Sequence, residues 1–135
     1  AVEVARQNNT RVALIDQPLN ITMLNVSRIS LGEKLKLAKD LIFGMSGLEK
    51  DKTRIAQIDL SKVPSKDFVE TAMKIVRGRY PGLYKALVSD RNEYMARTLA
   101  RIMQLEPQSK VIAVVGAGHE REITRLVKKQ TERSI

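Results

Sequence analysis

The chain has 135 residues, 43% of them hydrophobic, with 24 Lys plus Arg against 15 Asp plus Glu for a formal charge of +9, and no cysteine. That length bounds it to one domain with enough apolar content for a core, and the missing cysteines exclude disulfides and thiolate metal sites. No stretch approaches the ~20 apolar residues of a membrane span, and the opening AVEVARQNNT lacks a signal-peptide core.

The chain opens on Ala1 in mid-pattern, which suggests a piece cut from something longer. TRVALID (10–16) is a short β-branched run closed by turn residues and predicts a buried strand. In SLGEKLKLAKDLIF, Ser30 and Glu33 have capping-box spacing, and Leu31, Leu35, Ala38 and Ile42 share one stripe, so a helix is expected that Gly44 and Gly47 stop. LEKDKTRIAQIDLSKVP has no clear period and reads as a loop with an extended piece over 55–60. Ser65 opens a helix to about Arg77, and Pro81-Gly82 restarts the chain into LYKALVSDRNEYMARTLARIM, where Asp90 and Glu93 offer a second capping box. KVIAVV (110–115) predicts another strand, with a helix beginning near Glu120. Helices between two such strands imply an α/β domain, helices packed on a small β-sheet. Two strands are too few for a stable sheet, so missing sequence or a second copy is expected to complete it, and a homo-oligomer follows.

The glycine turn Gly116-Ala117-Gly118-His119 holds the only histidine of the chain. A dinucleotide cradle is excluded on pattern: Arg121 stands at the third glycine position, 16 residues after His119 leave no room for a βαβ unit, and Asp16 lies upstream of the turn. NAD and ATP are therefore not expected there. Gly116 and Gly118 at the end of a strand would permit positive φ and close backbone approach, and a following helix would aim unpaired N–H groups at His119. A catalytic corner and an idle strand-to-helix turn fit this spacing equally well.

In DRNEYMARTLARIM a helical projection puts Tyr94, Met95, Thr98, Leu99 and Ile102 on an apolar stripe, with Glu93, Arg97, Ala100 and Arg101 opposite. Arg91 falls in that stripe and Asn92 on its margin. A guanidinium aimed inward needs a carboxylate, carbonyls or a ligand; the alternative is an Arg91 that snorkels or pairs structurally. All three of Arg91, Asn92 and His119 are expected to converge on one cleft, with Arg97 and Arg101 in solvent.

Excess charge attracts anions of any kind, but it is spread out, aromatics total five, and only RGRY sets one among arginines, so nucleic acid is not an expected partner.

The segments LIDQPLNIT (14–22), SLGEKLKLAKDLI (30–42), YPGLYKALVSDRNEYMA (80–96) and KVIAVVGAGH (110–119) resemble, in order and spacing, the TraB/PrgY pheromone-shutdown family, its archaeal branch above all. DRNEYMA and VVGAGH are the most specific. By resemblance to the related Tiki metalloproteases and the erythromycin-esterase and ChaN-like proteins, Gly116 to His119 would be the second of two GxxH motifs, and Arg91-Asn92 with Met95 the polar helix motif facing it. Arg91, Asn92 and His119 would then be catalytic, with His119 a metal ligand. The first GxxH motif and its following acid have no counterpart, so residues 1–135 look like the later portion of such a domain, a divalent metal would need ligands from outside this chain, and the chain alone should lack family-type catalysis. The function implied is that of a peptide-directed hydrolase or peptide-sequestering protein with half its site here; the alternative is a non-enzymatic basic domain binding an anionic or peptide partner. A cytoplasmic location is expected, with any membrane tether in segments not present here.

Overall fold

A computed structural model of the protein describes residues 2–42 and 65–132. The elements are helices: α1 (Val2–Gln7), α2 (Leu19–Ser27), α3 (Leu31–Ile42), α4 (Lys66–Arg79), the short α5 (Pro81–Tyr84), a π-helical turn (Lys85–Ser89), α6 (Asp90–Leu105) and α7 (Glu120–Glu132). The stop at Gly44 and Gly47 and the extended piece over 55–60 lie outside the described residues.

The α/β expectation is overturned, because among the described residues there is no strand and no sheet. Segments 10–16 and 110–115 lie outside any strand, and residues 11–15 and 111–115 make no backbone–backbone hydrogen bond with a described residue. A β-branched run becomes a strand only where another strand accepts its ladder; its propensity expresses packing on a pleated surface, and none forms here. Each segment contributes one end residue to the interior, Ile15 and Val115, while Leu14, Ile112 and Val114 stay exposed.

Several helix signals act as their chemistry predicts. The Ser65 hydroxyl accepts from the Phe68 N–H (3.3 Å) and caps α4, which runs two residues past the expected end. Pro81 begins α5 at a position where its missing N–H costs nothing. The Ser30 hydroxyl accepts from the Glu33 N–H (3.3 Å), but the Glu33 carboxylate does not return to close the box. It crosses to α5, accepting from the N–H groups of Gly82 (3.0 Å) and Leu83 (2.8 Å). Asp90 and Glu93 cap nothing, since the chain is already helical from Pro81; Asp90 instead accepts from Asn25 of α2 (3.1 Å) and Lys85 (2.5 Å). The sequence reading has no helix at α2, whose weakly periodic LNITMLNVS follows Pro18.

The core sits between α6 and α7, where Met95, Leu99 and Ile123 are buried and Ile15, Val115 and Val127 close over them. Ala96 and Ala100 are also buried, so Ala100 belongs to the inner face and not to the outer one.

Candidate functional site

The polar site forms where both extended segments end, against the first turns of α6 and the entry to α7. His119 stands just before α7: its N–H donates to the Gly116 carbonyl (2.9 Å), and its carbonyl accepts from the Ile123 N–H (3.0 Å). Neither Gly116 nor Gly118 takes left-handed backbone, contrary to the expectation of positive φ. A Cβ at 118 would fall 2.7 Å from the Met73 Cε of α4, the flexible end of a side chain, so that methyl would have to move aside.

The His119 Nδ1 lies 2.6 Å from the Asn92 Oδ1, and Asn92 is only 1% exposed. An amide oxygen can only accept, so Nδ1 carries the proton and Nε2 keeps its lone pair. Burial lowers the His119 pKa below that of a free imidazole, the Arg91 charge lowers it further, and Asp16 opposes both. The ring is therefore a neutral acceptor held in one tautomer by a buried amide.

Arg91 is spent in a fixed arrangement. Its Nε and Nη2 donate to the two carboxylate oxygens of Asp16 (3.1 and 2.7 Å), and its Nη1 donates to the Leu87 carbonyl (3.2 Å) inside the π-helical turn. A π turn widens the helix and disturbs the regular ladder, which gives a side chain access to a main-chain carbonyl. The Arg91 hydrogen bonds hold the Asp16 carboxyl below its usual pKa against the opposing effect of burial.

Arg91, Asn92 and His119 thus lie together: Asn92 bonds His119 directly, and Arg91 acts on it through charge. Arg97 and Arg101 are exposed. Asp16 is the residue that sequence reasoning passed over as part of this site. Its signal was present, since an inward arginine requires a carboxylate and LID ends an apolar run.

The set does not form a metal site by itself. No group of three His, Cys, Asp or Glu that could hold an ion exists among the described residues. Asp16, the nearest acid, already carries Arg91, so His119 Nε2 is the sole uncommitted metal-type donor in this constellation.

Comparison with known proteins shows the family. The TraB/PrgY/gumN family model matches residues 1–135. The chain belongs to this family. Among curated relatives, an uncharacterized protein of Methanocaldococcus jannaschii is 30% identical over 131 residues, covering 96% of this chain and 31% of the relative. A TraB domain-containing protein of Bos taurus is 32% identical over 131 residues, covering 87% of this chain and 33% of its own, and a human one is 31% identical over 118, covering 77% and 30%. This TraB-family chain therefore spans about a third of the length of those relatives. No solved structure matches it. No helix among the described residues is long and apolar enough to cross a membrane.

Proposed function

We propose that this TraB-family chain supplies one half of a peptide-directed site, hydrolytic or sequestering, centred on His119 Nε2. The observation that carries the reading is the 2.6 Å contact between His119 Nδ1 and the buried Asn92 Oδ1, which fixes the tautomer and leaves Nε2 as a neutral acceptor. Such a nitrogen can accept a proton from an attacking water or a hydrogen bond from a peptide N–H, and its lowered pKa keeps it in the accepting form at neutral pH. Asp16 and Arg91 neutralise one another, so they orient the site and set its field without presenting a bare charge to an incoming amide.

A site-driven function and a charge-driven one respond to different perturbations. Peptide binding or cleavage, followed with a fluorogenic peptide mixture, should vanish in His119→Ala and change little with ionic strength. An activity that survives His119→Ala but falls with added salt, or with scattered Lys and Arg substitutions, would transfer the function to the basic surface.

Self-association is part of this reading. Leu14, Ile112 and Val114 stand exposed on the segments that lead into the site, and a second copy would cover them. Sedimentation at micromolar concentration should show an oligomer; a monomer would remove this element of the proposal.

A further inference from the structure

Helix α3 is docked the wrong way round for an ordinary amphipathic helix. Its apolar stripe, Leu31, Leu35, Ala38 and Ile42, faces solvent: the three larger residues are 71%, 63% and 74% exposed, and Ala38 is exposed too. Opposite that stripe, at about 100° per residue, lie Glu33, Lys36 and Asp40, and these make the contacts. Glu33 accepts the two N–H groups that open α5. Lys36 Nζ donates to the Arg79 carbonyl (3.2 Å). Asp40, buried, takes the Tyr80 hydroxyl and the Arg79 Nε (2.8 Å) and Nη2 (2.6 Å). Rolling α3 over to bury its leucines would break all three anchors and leave a carboxylate unpaired, so the outward stripe is locked in place.

The stripe's spacing of four, three and four is that of a coiled-coil seam, with Leu31 and Ala38 at d, Leu35 and Ile42 at a, and Leu41, 82% exposed, beside it at g. On this register Lys34 and Lys39 flank the seam at g and e; both are exposed, and Lys34 Nζ reaches the Ser27 carbonyl (2.6 Å). No acid occupies a flanking position.

We propose that this face of α3 docks an amphipathic helix whose apolar seam is flanked by acidic residues. Charge selects that occupant. A parallel second copy of α3 would set Lys34 against Lys39, and an antiparallel one would set Lys34 against Leu41 and Lys39 against Gly32, so neither gives the lysines an acid, whereas glutamates at the flanks would pair with both. The net charge of +9 attracts the same partner. A lipid surface is disfavoured because α3 carries no Trp, Tyr or Phe to anchor it at the interface. The surface is independent of His119.

The test uses two synthetic helices with identical leucine seams, one with Glu and one with Lys at the flanking positions; like charges keep each monomeric. Fluorescence anisotropy with the whole chain should show saturable binding of the Glu peptide, at least about tenfold tighter than the Lys peptide. Leu35→Glu should remove it, and circular dichroism should report an unchanged fold because Leu35 is 63% exposed. Lys34→Glu with Lys39→Glu should reverse the preference, and His119→Ala should leave it intact. Equal binding of both peptides, no binding, or binding that Leu35→Glu leaves untouched would overturn the proposal. So would a self-association, or an attachment to phosphatidylserine vesicles, that Leu35→Glu abolishes.

Discussion

Replacing Asn92 by Ala removes the acceptor for His119 Nδ1 and nothing else of comparable polarity. The hydrogen bond is short, at 2.6 Å, and Asn92 is 1% exposed, so little water can enter to substitute for the lost oxygen. Leaving a half-buried N–H without a partner costs about 1–3 kcal/mol. Urea unfolding followed by circular dichroism at pH 7.5 should show a lower midpoint with an unchanged slope, since the exposed surface on unfolding stays the same. His119→Ala should also destabilise, because it strands the Asn92 oxygen. The double variant strands neither group, so its loss should fall short of the sum of the two single losses by roughly 1–2 kcal/mol. NMR of the single imidazole gives a second readout: in Asn92→Ala the Nδ1–H tautomer should give way to a mixture. Additive losses within about 0.3–0.5 kcal/mol, together with an unchanged tautomer, would refute the coupling on which the site rests.

His119 should titrate below a free imidazole, and Arg91→Ala should raise its pKa by removing the cation and freeing the Asp16 carboxylate; an unchanged titration would break that link. Between the depressed folded pKa and the ordinary value near ~6.5, the unfolded chain binds the proton and the folded chain does not. His119 therefore contributes stability that is present above that window and lost as pH falls through it, and His119→Ala should flatten that part of the stability profile. Gly118→Ala should cost less than about 1 kcal/mol, since the Cβ would meet only the flexible Met73 Cε at 2.7 Å and that methyl can move aside; a loss of several kcal/mol in urea unfolding that Met73→Ala recovers would show that Met73 is held in place. NAD and ATP should give no saturable calorimetric heat, since Arg121 stands where the third glycine of a dinucleotide turn would be; a micromolar affinity lost in Gly118→Val would contradict this.

What the sequence determined by itself was local or compositional. Ser65 and Pro81 marked helix starts because capping and proline chemistry act over three or four residues. Helical projection alone puts Arg91 in the apolar stripe and Asn92 on its margin, and the glycine turn is located by its own spacing. Family membership was readable too, since DRNEYMA and VVGAGH are contiguous motifs. Tertiary structure decided the rest. TRVALID and KVIAVV look like strands, but a strand is a property of two segments, and no ladder between them forms. Glu33 and Asp40 show the same limit from the other side: their bonds to Gly82, Leu83, Arg79 and Tyr80 span about forty to fifty residues of chain. Those bonds turn α3 outward, so a stripe of leucines that hydropathy assigns to the core stands in solvent. Which carboxylate answers Arg91 is likewise a long-range fact, because any of several acids satisfies the charge and only the packing of the 10–16 segment onto α6 brings Asp16 to it.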